Sequence, residues 1–215
     1  MRSFSHKVMI NVKSILRLGV LLTGICLLST QEIKATHIVG GDLTYRCLGN
    51  DIYELKLTVR RDCFNGAPGA QFDDPASIGI FDMTTHQRLT DLIGYPDGQL
   101  LIPLSNNDTL NEFLVSDCSV ISGDVCVHTT MYIKTIFLPY RANGYTFAYQ
   151  RCCRNETLTN VLNPLNTGMT LIAELSGPAQ VDVNSAPQFQ SYPPIYICVN
   201  KDISFDHHAL DVSGD

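Results

Sequence analysis

Basic residues are scarce in this chain and unevenly placed. Of its fifteen Lys and Arg, five (Arg2, Lys7, Lys13, Arg17 and Lys34) fall within the first 35 positions, against Glu32 alone. What remains holds ten basic and twenty acidic residues, a formal charge of −10 with no basic run. Such a body repels polyanions, so nucleic acid and anionic lipid are excluded as partners. Long apolar runs are also missing. The one candidate, Leu18–Leu28, is eleven residues long, too short to cross a bilayer, so no transmembrane segment is expected in the mature chain. Helical periodicity is nearly absent. No Cys-x-x-Cys occurs, and no two histidines are spaced to meet on a helix, which removes the usual zinc signatures. His37, His86, His128, His207 and His208 are read as surface or packing residues.

What is there begins with a targeting pattern. The basic cluster, the apolar Leu18–Leu28 run and the small residues up to Ala35 form the n-, h- and cleavage regions of a signal peptide over residues 1–35. Seven cysteines then remain: Cys47, Cys63, Cys118, Cys126, Cys152, Cys153 and Cys198. In an exported chain they read as a disulfide framework with one partner missing. Cys118 and Cys126 bracket a seven-residue polar loop and are expected to pair, which stabilises by roughly 2–3 kcal/mol on the chain-entropy estimate. Cys152 and Cys153, as strand neighbours, are expected to face opposite ways and find different partners. Cys47 and Cys63 sit too far apart along a hairpin to meet.

The body of the chain alternates as strands do. Tyr53, Leu55, Leu57 and Val59 interleave with Glu54, Lys56, Thr58 and Arg60, a half-buried strand. Turn residues 48–51 precede it, and Thr36–Cys47 completes a hairpin. Further runs lie at 76–81, 99–104, 125–138, 145–152 and 169–175, separated by Asn, Asp, Gly and Pro clusters that include 105–108. The expected fold is all-β: an antiparallel, immunoglobulin-like β-sandwich over residues 36–180, stapled by disulfides. Residues 181–215 read as a linker and the incomplete start of a second β-sandwich domain, since about 30 residues cannot bury a core of their own.

Five stretches together resemble one family. They are Ala35-Thr-His-Ile-Val-Gly-Gly-Asp-Leu-Thr-Tyr-Arg-Cys47, Leu57-Thr-Val-Arg-Arg-Asp-Cys63, Asp74-Pro-Ala-Ser-Ile-Gly-Ile-Phe81, Tyr149-Gln-Arg-Cys-Cys-Arg-Asn155 and Pro193-Pro-Ile-Tyr-Ile-Cys-Val-Asn200. This is similar to the N-terminal region of large secreted surface proteins of gliding, Bacteroidetes-type bacteria. Those proteins continue into PKD-like or cadherin-like arrays and often end in a gliding-motility-associated domain used by type IX secretion. The resemblance implies a cell-surface location and adhesion, and supplies no catalytic residues.

Candidate sites follow. Asp182-Val-Asn184-Ser-Ala-Pro-Gln-Phe189 is similar to a cadherin linker, and Asp211, Ser213 and Asp215 form an acidic turn. Together Asp182, Asn184, Asp211 and Asp215 are the candidate calcium ligands, because calcium takes six to eight oxygens. Asp108-Thr109-Leu110 resembles an O-glycosylation acceptor of this bacterial group. The expected function is a surface module of an adhesin or matrix protein, acting as a rigid stalk or by non-covalent contact with an extracellular glycan, a protein or neighbouring domains. The rival is a secreted hydrolase with a carboxylate pair drawn from Asp73, Asp74, Asp82 or Glu112.

Overall fold

A computed structural model describes residues 38–66, 70–110, 126–191, 197, 200–211 and 213. The signal segment, Glu112, Cys118, Cys198 and Asp215 lie outside them. All described residues belong to one compact unit, Lys34–Asp215.

The hairpin is built as its sequence dictates. Strand β1 (Ile38–Gly49) turns through Asn50 and Asp51 into β2 (Ile52–Asp62). Both turn residues have positive φ, 52° and 59°, and Gly49 pairs with Ile52, a two-residue turn of the primed type that matches strand twist. Along β2, Tyr53, Leu55, Leu57 and Val59 are buried and Glu54, Lys56 and Arg60 are not. The period of two has set the inward face.

The remaining strands are β3 (Ala76–Asp82), β4 (Gln99–Ile102), β5 (Asn106–Leu110), β6 (Val127–Phe137), β7 (Tyr145–Arg151) and β8 (Met169–Leu175). They form two antiparallel four-stranded sheets, ordered β1-β2-β6-β5 and β4-β3-β7-β8. In immunoglobulin lettering these neighbours run A-B-E-D and C′-C-F-G. One core joins the sheets. Leu55, Leu57, Tyr132 and Ile136 come from the first, and Ile78, Ile80, Leu100, Phe147 and Leu175 from the second, all at 0–2% exposure. Each large apolar side chain so buried contributes roughly 1.5–3 kcal/mol. The Tyr145 hydroxyl at the start of β7 donates to the Pro139 carbonyl at 2.6 Å. A tyrosine that ties the same corner is a hallmark of immunoglobulin-type sandwiches.

Two elements depart from expectation. Residues 105–108 were expected to turn, yet 106–110 form β5, pairing Asn106 with Met131 and Leu110 with Val127. The neighbouring strand supplies the ladder that local propensity does not. The stretch read as a boundary holds helix α1 (Gly177–Val181). Ser176 caps it, its Oγ accepting from the Ala179 amide at 3.2 Å, with proline in the first turn. Serine before Gly-Pro is a helix-start signal that the linker reading passed over. Beyond α1, short strands β9 (Gln188–Phe189) and β10 (Ala209–Leu210) pair with each other. The stretch between α1 and β9 docks on β1, Ala186 N–H donating to the Tyr45 carbonyl and Cys47 N–H to Ser185 Oγ.

Candidate functional site

Among the described residues two long connections leave one end of the sandwich: 63–75 after β2, described except for 67–69, and 152–168 after β7. Ordered connections of this length are uncommon in a compact domain and often carry binding or catalytic residues. Their bases are tied by side chains from the strand ends.

Asp62 closes β2 and is buried. Its Oδ1 accepts the amides of Phe64 and Asn65, both at 2.9 Å, and its Oδ2 accepts Asn65 Nδ2 at 2.9 Å and Asn155 Nδ2 at 2.8 Å. Burial works to raise the Asp62 pKa, but these bonds, those from Asn65 first, hold it below the usual carboxylate range. Asn155, buried, also donates its N–H to the Ile38 carbonyl at 3.3 Å. One carboxylate–amide contact thus joins the 63–75 loop, the 152–168 loop and the start of β1.

Beside it, Asp73 takes a second set. Arg151 Nη1 stands 2.9 Å from Asp73 Oδ1, the Tyr149 hydroxyl donates to Oδ2 at 2.7 Å, and the Tyr132 hydroxyl donates to the Asp73 carbonyl at 2.6 Å. Burial first, and then the Asp73 carboxylate, push both phenols up, Tyr132 to about 12. They stay protonated donors at any physiological pH. Arg61 lies over the Phe72 ring at 5.0 Å, donates to the Ala70 carbonyl, and donates through Nε to His128 Nδ1 at 3.3 Å. Burial and this guanidinium lower the His128 pKa and keep the imidazole neutral. Two large apolar side chains on these loops face solvent: Phe64, just past Cys63, is 54% exposed and Leu162 87%.

The disulfides correct two expectations. Cys126 bonds to Cys63, Cα–Cα 5.1 Å, and not to Cys118. Cys63 follows β2 and Cys126 precedes β6, whose ends Asp62 and Val127 are ladder partners. Strand pairing, invisible in sequence spacing, brings the two sulfurs together. Cys152 and Cys153 bond to each other and not to separate partners. The alternation argument required a strand through both, but β7 ends at Arg151, and Cys153 has φ 76°, which turns its side chain back. Cys47 keeps a free thiol. A ring nitrogen of His128 and the sulfurs of Cys63 and Cys126 lie within 4.8 Å of one another. The sulfurs are bonded together and Arg61 takes Nδ1, so the trio offers no ligand set.

The hydrolase carboxylates among the described residues each have hydrogen-bond partners within the fold. Asp73 is occupied as above, and Asp74 Oδ1 accepts the Leu104 amide at 3.0 Å. Asp82, buried at the end of β3, accepts the amides of Thr84 and Thr85, Arg141 Nε at 3.0 Å and Asn143 Nδ2 at 3.1 Å. The Thr85 amide foremost, against burial, and then Asn143 and Arg141 hold its pKa well below the carboxylate range. A depressed pKa gives stability that is complete above the unfolded value near ~3.9 and lost as pH falls toward the folded one. Asp82→Asn is therefore expected to lower Tm at pH 7 by on the order of 5 °C. It should also flatten the fall of Tm between pH 5 and 2, only in part because Asp62 titrates too. Melts across that range check this; an unchanged pH slope would refute it.

Of the candidate calcium ligands, Asp182 is exposed after α1 and Asn184 N–H donates to the Ala179 carbonyl. Asp211 Oδ1 accepts the Ser213 amide at 2.7 Å, and Ser213 Oγ accepts the Ser185 amide at 2.9 Å. The turn and the linker do meet. Among the described residues, however, neither Asp182 nor Asp211 lies with two further carboxylate, imidazole or thiol ligands. No described helix is long and apolar enough to cross a membrane. Comparison of the chain with family models, curated proteins and solved structures gives no match.

Proposed function

We propose that this chain is an extracellular binding module of a large bacterial surface adhesin or matrix protein, engaging its partner non-covalently through the loop end. The reading rests on one observation. The 63–75 and 152–168 loops are locked by Asp62–Asn155 and Asp73–Arg151, while Phe64 and Leu162 on them stay exposed. Loops held by a rigid scaffold lose little entropy on binding, and exposed apolar side chains provide contact area. The resemblance to secreted surface proteins and the −10 charge after residue 35 support an exported setting and an extracellular glycan or protein partner.

The test is an array of extracellular glycans and matrix proteins probed with the protein and with a Phe64→Ser/Leu162→Ser variant. The protein binds at least one component, and the variant binds at least 10-fold more weakly with Tm unchanged. Equal binding by the variant would remove these two side chains from the function. Turnover of an arrayed glycan or peptide would instead favour the hydrolase.

A further inference from the structure

Away from the loop end, β1 and β8 are edge strands of opposing sheets and converge on one flank. Gly41 permits the approach: a Cβ there would lie 2.3 Å from the Thr58 carbonyl oxygen and 2.8 Å from Leu171 Cδ1. Beside this contact a groove of about 400 Å³ opens between β1, β8 and β9. Its volume is that of a small-ligand site.

Leu43, Leu171 and Ile172 give the groove an aliphatic wall. Thr44, Lys56 and Gln188 bring a hydroxyl, an ammonium and an amide into it. All three are half-buried, and none of these side chains has a hydrogen-bond or ion-pair partner among the described residues. That sets them apart from Asp62, Asp82 and Gln180, whose side chains are all bonded. Asp42 also lines the groove, but its carboxylate is held by Arg60 at 3.4 Å, which leaves the Lys56 ammonium as the charge open to a ligand. Phe189 stands at the rim, 46% exposed. His207 stacks on one face of its ring at 4.9 Å and 6° between planes, which fixes the ring.

We propose that this groove binds a saccharide bearing a carboxylate. An ammonium pairs with one carboxylate in a charge-assisted hydrogen bond. A hydroxyl and an amide each both donate and accept, as sugar hydroxyls require. A fixed aromatic ring takes the C–H face of a pyranose. One ammonium in the groove, on a chain of net charge −10 after residue 35, suits a single acidic sugar and repels a phosphate polymer. An added peptide strand would need a free ladder along β1, but the Tyr45 carbonyl and the Cys47 amide are already taken by Ala186 and Ser185.

The site is separate from the loop end, and the experiment keeps the two apart. Amide chemical shifts of the protein are followed while digalacturonate, a glucuronate-terminated disaccharide or sialyllactose is added, with lactose and maltose as neutral controls. At least one acidic probe should shift residues 42–44, 171–172 and 188–189. Lys56→Met and Phe189→Ala should each weaken that binding at least 10-fold, while Phe64→Ser/Leu162→Ser leaves it unchanged. Three results would overturn the proposal: none of the acidic probes shifts the groove, lactose or maltose binds as tightly with Lys56→Met silent, or an extended peptide is the groove's ligand instead.

Discussion

Asp62→Ala should destabilise the protein by about 3 kcal/mol, from leaving a buried donor unsatisfied (~1–3 kcal/mol) and losing hydrogen bonds to a charged acceptor. Four donors lose their acceptor at once: the Phe64 and Asn65 amides and the side chains of Asn65 and Asn155. Asn155 is the costly one, because it is 4% exposed and water cannot readily replace the carboxylate. Tm should fall by about 10 °C. Asp62→Asn keeps one acceptor oxygen and should recover about half the loss. Amide exchange should rise at Leu158, whose N–H bonds to the Asn155 carbonyl at 3.2 Å, before the core strands respond. A Tm change under 2 °C for Asp62→Ala would show that the lock carries no stability.

That lock explains a string of residues whose meaning was only partly legible. Tyr149-Gln-Arg-Cys-Cys-Arg-Asn155 stands out in the sequence, yet nothing local says what it does. In the fold, Tyr149 and Arg151 hold Asp73, Arg154 bridges to Ile38 and Asn155 holds Asp62. The partners are 76, 78, 116 and 93 positions away, and no periodicity reports contacts at such range. By contrast, β2 and its hairpin could be read directly, since alternation and an Asn-Asp turn are local physics. Strand β5 could not, because Asn106-Asn-Asp-Thr-Leu110 has turn composition and becomes a strand only against β6. The groove at β1 and β8 was equally hidden. Thr44, Lys56 and Gln188 are ordinary strand residues until two sheet edges and β9 place them around one space.

Cysteine pairing shows the same limit and yields the second large effect. Cys63 and Cys126 are 63 positions apart, so their bond removes far more freedom from the unfolded chain than a link from Cys118 would. The chain-entropy estimate for a closure of that length is ~4 kcal/mol. The native side should change little in a Cys63→Ser/Cys126→Ser double variant. The Cys63 N–H still donates to the Cys126 carbonyl at 2.9 Å, and the β2–β6 ladder continues through Asp62 and Val127. The loss therefore arises in the unfolded state, and Tm should drop by about 10 °C while the folded spectrum stays the same. Cys152→Ser/Cys153→Ser, which opens no chain loop, should cost under about 1 kcal/mol on the same estimate. Peptide mapping of the oxidised protein supplies the independent check. A Cys118–Cys126 crosslink, or equal stability losses from the two double variants, would overturn the assignment.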